Sequence, residues 1–244
     1  MRLSRCHVNV PLILGNEIIL PELVANHLLR VLRLCEGDTC VLFNGDGHDY
    51  LARLIATGRR EAWARIEGVS EVCNESPLAI TLVQAIARGE KMDLIVQKAT
   101  ELGVVAIVPV DTERSGVRLD SERVAKRLAH WNNVVVSACE QCGRTRVPEV
   151  QMPRALQALP EILDPDTLRL ILDPKSEHRL STLSRLTPVA VTIAIGPEGG
   201  WSPRDLEILK DAGFIGFSLG PRILRTETAG LTAIAVLQAQ LGDL

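Results

Sequence analysis

The sequence predicts an α/β protein: a small β-rich amino-terminal domain, read as a barrel, followed by a larger domain built on parallel strands. Three observations carry this. Residues 1 to about 70 hold short strand-like runs with turn signals between them; after "NESP" at 74–77 the apolar runs become near-continuous; and helical segments lie between those later runs. Near-continuous apolar runs suit strands covered on both faces, and their alternation with helices is the α/β pattern.

Each element can be taken in order. In "PELVANHLLRVLRL" the spacing predicts a helix from about Glu22 to Arg33, with Leu23, Leu28, Leu29 and Leu32 toward a core and Asn26, Arg30 and Arg33 outward. "GDTCVLFNGDGHDYLARLIATG" reads as two strands joined by a hairpin at NGDG, and "EAWARIEGVSEV" as a further half-buried strand. The boundary falls near residue 73, dividing the chain into 1–73 and 74–244. "LAITLVQAI", "VVAIVPV", "LRLILD" and "VAVTIAIG" are the expected parallel strands. "KMDLIVQKATELG", stopped by Gly103, and "SERVAKRLAHWNNVVVSACEQ" are the expected helices between them.

Two stretches near the end share one plan. "VTIAIGPEGGWSPRDLEIL" is a strand, a glycine-rich turn and a helix, with Ser202 as N-cap, Pro203 at the first helical position and Asp205 completing a capping box. "FIGFSLGPRILRTETAG" is a short strand, a Gly-Pro turn and a helix from about Thr226 to Leu241. Such turns at the carboxyl edge of a parallel sheet can hold a small molecule by backbone groups. The glycines form neither GxGxxG nor a P-loop, which disfavours a phosphate cradle. A turn alone would not need Arg222, Arg225 and Glu227 so close together.

Composition bounds the function. The chain has 244 residues, 46% of them apolar, and a formal charge of −3, so nothing in the total announces nucleic acid. Aromatic residues are only 3%, against a reader that stacks several bases. No apolar run reaches the roughly 20 residues of a membrane span, and "VNVPLILG" is a poor signal peptide, so a cytoplasmic protein is expected. The six cysteines suggest reduced thiols; "CEQC" and the looser Cys35/Cys40 pair lack a matching second pair or His pair, so no metal is expected.

"GPEGGWS" and "LGPRILRTETA", together with "KMDLIVQKATELGV", "DTERS", "EQCGR" and "HLLRVLRLCEGD", resemble the motifs of the 16S ribosomal RNA (uracil-N3)-methyltransferase family of the SPOUT superfamily. The resemblance runs along nearly the whole chain. Trp201 stands where Phe is more usual, and Cys142 where a small polar residue is common. The resemblance implies a PUA-like RNA-binding barrel over 1–73 and a SPOUT α/β domain with a carboxy-terminal trefoil knot over 74–244. It implies a homodimer that takes S-adenosylmethionine, without metal, and methylates N3 of one uridine of 16S rRNA in the assembled small subunit.

For the donor, it points to Leu172, to Gly196, Pro197, Glu198, Gly199 and Gly200, and to Leu219, Gly220, Ile223, Leu224 and Thr228. For the chemistry, Arg225 is the expected stabiliser of charge on the uracil ring. Glu227 is a candidate base, although a carboxylate in a helix's first turn also suits the helix dipole alone. Arg222 is structural or touches RNA. Arg5, His27, Arg30, Arg33, Arg114 and Arg144 are the candidate RNA contacts. Rival readings are another SPOUT methyltransferase, acting on ribose 2′-oxygen or a tRNA base, and an idle ribosome-assembly factor. Intact donor loops speak against the last.

Overall fold

The computed structural model of the chain describes residues 3–57, 61–115, 121–180 and 189–244. It falls into two compact units, one of residues 1–75 with 139–147, the other of 76–138 with 148–244. The sequence reading ends the first domain near 73; the structure adds the segment 139–147 to it.

In the first unit the strands are β1 (Arg5–His7), β2 (Glu17–Ile19), β3 (Thr39–Phe43), β4 (His48–Thr57) and β5 (Ala62–Glu71). They form one sheet in the order β1-β3-β4-β5-β2, with β1 parallel to β3 and the other pairs antiparallel. The NGDG stretch makes the β3–β4 turn, with Gly45 and Gly47 both at φ +97°, where a side chain would be strained. Two register shifts between β4 and β5 bend the long ribbon. Alternate residues Ala62, Ala64 and Ile66 of β5 join Leu42, Ala52 and Leu54 in the buried cluster, as a period of two requires.

The expected helix over Glu22–Arg33 forms differently. An α-helix, α1, spans only Glu22–Asn26, and the chain then widens into a π turn over His27–Val31, with Leu32 N donating to His27 O at 3.0 Å. A π turn holds one residue more than an α turn, so later side chains rotate off the expected stripe. Leu28 is fully buried and Leu29 partly so, but Leu23 is 84% exposed and Leu32 38%. Arg33 ends the segment at φ +57°, the one non-glycine positive φ among the described residues.

The second unit contains β6 (Ala79–Ala85), α2 (Glu90–Glu101), β7 (Val104–Asp111), α3 (Ser121–Cys142), β8 (Glu149–Val150), β9 (Arg154–Ala155), β10 (Leu168–Leu172), β11 (Ala190–Ile195), α4 (Pro203–Asp211), β12 (Ile215–Phe217) and α5 (Thr226–Leu241). The last turn of α3 belongs to the first unit. All pairings in the sheet are parallel, in the order β12-β10-β11-β6-β7-β8, with β9 also on β7. The four long apolar runs are the strands β6, β7, β10 and β11. β8 and β9 have two residues each, too short for any periodicity to reveal.

Ser202 and Asp205 make the reciprocal capping box at the start of α4, each bond 3.0 Å. α2 and α5 pack together, and the buried Gln238 of α5 donates to Leu102 O while its Oε1 accepts from Ser76 Oγ. No described helix is long and apolar enough to cross a membrane.

Candidate functional site

The strands of the second unit run parallel, so their carboxyl ends gather the loops on one edge. A cavity of about 750 Å³ opens there. Its walls come from the ends of β10 and β11 (Leu172, Ile195), the turn after β10 (Asp173–Lys175) and the GPEGGW turn. Ile223–Arg225 before α5, Thr226 and Ala229 of α5, Leu206 of α4, Lys91 of α2 and Arg114 beyond β7 complete it.

The turn after β11 is shaped by its glycines. Gly200 N donates to Pro197 O at 2.9 Å, and Gly200 lies at φ +68°. A Cβ on Gly196 would stand 3.1 Å from the Trp201 ring, so the ring packs onto this backbone only because no side chain is there. Arg114 braces this turn: its Nη1 donates to Gly199 O at 3.1 Å and Trp201 O at 3.3 Å. Thr226 ties the turn to the last loop, donating from Oγ1 to Gly196 O at 2.6 Å and accepting from the buried Gln84 Nε2 at 3.1 Å.

Of the eleven residues named for the donor, Leu172, Ile223 and Leu224 line the cavity, as do all five of Gly196–Gly200. Leu219, Gly220 and Thr228 lie outside its lining: the first two are half-buried in the turn after β12, and Thr228 is exposed on α5. The cavity suits a molecule with a flat apolar ring and a polar tail. Leu172, Ile195, Leu206, Ile223 and Leu224 supply apolar wall, and the Trp201 Nε1 donor is buried with no partner. A site of this size and makeup is ordinary for a cofactor, and S-adenosylmethionine fits it.

Arg225 is exposed on the cavity wall, and no partner engages its guanidinium among the described residues. Glu227 is not on the wall. Its carboxylate, 15% exposed, stands behind Lys91, with Oε2 3.6 Å from Lys91 Nζ. Lys91 in turn donates to Glu198 Oε1 at 3.2 Å. Partial burial works against ionising Glu198, yet hydrogen bonds from its own and Arg88's backbone N–H, and from Lys91, hold its carboxyl below the usual value. The sequence reading missed Lys91, Asp173, Trp201 and Thr226 as site residues. Lys91, Trp201 and Thr226 sit within the quoted motifs, which was the available signal.

The candidate RNA residues separate. His27, Arg30 and Arg33 are exposed on the π turn and its end. Arg114 is committed to the glycine turn. Arg5 and Arg144 are interior, each with a side chain 6% exposed. Arg5 pairs with Asp49 at 2.6 Å, donates to Cys139 O at 3.0 Å and lies 4.7 Å over the Phe43 ring. Arg144 grips Glu75, with Nε 3.1 Å from both carboxylate oxygens. Groups so enclosed are not placed to meet phosphate. Burial also pushes the Cys139 thiol up to about 12, and its Sγ faces Arg146 O at 3.8 Å. A thiol that stays protonated is a poor metal ligand or nucleophile. Among the described residues no group of three or more His, Cys, Asp or Glu is gathered for a metal.

A family model described as RNA methyltransferase domain matches residues 74–238, and one described as RNA methyltransferase PUA domain matches 22–67. Ribosomal RNA small subunit methyltransferase E of Buchnera aphidicola (subsp. Schizaphis graminum) is 32% identical over 243 residues, covering 100% of this chain and 98% of that protein. The chain belongs to the ribosomal RNA small subunit methyltransferase E family. Solved structures agree. A methyltransferase of Legionella pneumophila, in complex with S-adenosylmethionine, superposes with a TM-score of 0.95 at 40% identity, over 100% of both chains. The Neisseria gonorrhoeae ribosomal RNA small subunit methyltransferase E, also bound to S-adenosyl methionine, gives 0.92 at 39%, again over 100% of both. The family's architecture, a PUA-like unit and a parallel-stranded SPOUT domain, is the one described above.

Proposed function

We propose that this chain transfers a methyl group from S-adenosylmethionine to N3 of one uridine of 16S rRNA, in the assembled small subunit and in the cytoplasm. The observation that carries this is the cavity at the sheet's carboxyl edge, walled by the two signature loops and bearing Arg225 at its mouth. When bound, S-adenosylmethionine supplies the methyl group and a neutral thioether as leaving group.

The chain's residues do the rest. The GPEGG backbone and the apolar wall hold the donor, and the threonine stitch from Thr226 to Gly196 fixes the two loops to one another. Alignment of this kind is worth roughly 7–11 kcal/mol. N3 lies on the Watson–Crick edge, so the target uridine must be unpaired or flipped out. As its proton leaves, negative charge spreads to the ring carbonyl oxygens, and Arg225, a cation with no partner among the described residues, meets it. The intact donor site favours this reading over an idle assembly factor. The motif set and the family favour it over ribose or tRNA methylation.

His27, Arg30 and Arg33, all exposed, form the RNA-facing edge of the first unit in this reading. The test joins both parts. Nucleoside mass spectrometry of small subunits incubated with the protein and donor should show 3-methyluridine. Arg30→Ala combined with Arg33→Ala should weaken subunit binding and flatten its salt dependence, since fewer phosphate contacts release fewer counterions. A 2′-O-methylated product would sink the base assignment; normal binding by the double variant would remove this edge from the RNA surface.

The carboxy-terminal domain is read as a trefoil knot and a homodimer. The resemblance of the two signature loops, both on the cavity wall, supports the first. For the second, α5 leaves Leu231, Ala235 and Val236 partly exposed opposite its buried face, and Ile223 is 86% exposed. Sedimentation should give one species of twice the 26.6 kDa chain mass. A stable, active monomer would overturn the dimer.

A further inference from the structure

Among the described residues, Lys91 is the one cation of the cavity wall flanked by carboxylates from two other elements: Glu198 of the glycine turn at 3.2 Å and Glu227 of α5 at 3.6 Å. An ammonium has three N–H donors. One is spent on Glu198; the Glu227 distance lies beyond a hydrogen bond, so Glu227 holds the charge by attraction and leaves donors to turn elsewhere. Lys91 is one-third exposed, and the space it meets is the cavity. Glu227 Oε2, by contrast, is buried with no hydrogen-bond partner.

We propose that Lys91 is a second catalytic cation, facing the uracil opposite Arg225, and that Glu227 is its positioning residue and not the base. This rests on the methyl-transfer reading above. In the transfer, N3 gives its proton to water and its electron pair forms the new N–CH3 bond, while the pair of the breaking S–CH3 bond stays on sulfur. Until the bond forms, the ring carries negative charge on both carbonyl oxygens, which lie on opposite sides of N3. One arginine meets one oxygen; a second cation answers the other. The two carboxylates hold the ammonium in place when no RNA is present, which is the preorganisation that such stabilisation needs.

The alternative task for Lys91 is to bind the carboxylate of the donor's methionine, and donor affinity separates the two. Lys91→Met should slow single-turnover methylation on the order of a hundredfold with calorimetric affinity for S-adenosylmethionine unchanged, both measured below a melting temperature that falls because Glu227 loses its facing charge. Lys91→Arg should recover most of the rate. Adding Glu227→Gln to Lys91→Met should cost no more than about twofold, because residues acting through one group are not additive.

A loss of donor affinity that matches the loss of rate would assign Lys91 to the donor and overturn the proposal. So would penalties of Lys91→Met and Glu227→Gln that multiply, or a Lys91→Met protein as fast as wild type. A wild-type protein that binds donor and subunits yet methylates nothing would instead strike the parent reading, and this one with it.

Discussion

Arg225→Ala is expected to lower single-turnover methylation of the small subunit by about a hundredfold or more, the usual loss when one preorganised donor to a developing anion is removed. Donor affinity and melting temperature should barely move. The reason is local: Arg225 is exposed on the cavity wall, with no partner among the described residues whose loss would be felt elsewhere. An exposed arginine with no chemical task would cost a few tenths of a kcal/mol in stability and nothing in rate. A wild-type rate in Arg225→Ala would therefore move the chemistry to another group. Glu227→Gln provides the contrast. If Glu227 were the base, hydroxide could replace it and the rate would recover at high pH. If it positions Lys91, the rate should stay low across the range.

The second large effect is on stability. Arg144→Ala should destabilise the first unit by about 3 kcal/mol, because it removes a buried guanidinium and strands the Glu75 carboxylate. Calorimetry should show the unit's melting temperature lowered by on the order of 10 °C. The interior position of Arg144, 6% exposed and doubly bonded to Glu75, is the warrant. Replacing both partners by apolar residues of similar volume should restore much of the loss, since a buried pair's net worth is small once neither charge is left alone. A variant as stable as wild type but weaker on the subunit, with a shallower salt slope, would return Arg144 to the RNA surface.

The contrast between these two arginines marks what could be read without a structure. Both stand in the quoted motifs, "LGPRILRTETA" and "EQCGR", yet one lines a cavity and the other is a buried strut. Nothing in the local sequence separates them, because burial is decided by residues far away in the chain. Glu75 lies 69 positions from Arg144. Arg5 likewise turns inward because Asp49 and the carbonyl of Cys139, 134 positions away, converge on it.

What the sequence by itself determined was everything whose cause is short in range or written into whole motifs. Parallel strands followed from unbroken apolar runs, the α4 cap from Ser202 and Asp205, the hairpin from NGDG, and the family and the two loops of the cavity wall from their wording. The tertiary structure alone decided the rest. It placed Lys91 between Glu198 and Glu227, which lie on three elements far apart in the chain and meet only because parallel strands bring their carboxyl ends to one edge. It also ended α1 at Asn26 and continued it as a π turn, where packing Leu28 and Leu29 into the first core outweighed the regular spacing, with Leu23 left in water. A periodic pattern states which residues could share a face; only the opposing surface, assembled from distant strands, selects the face that is buried.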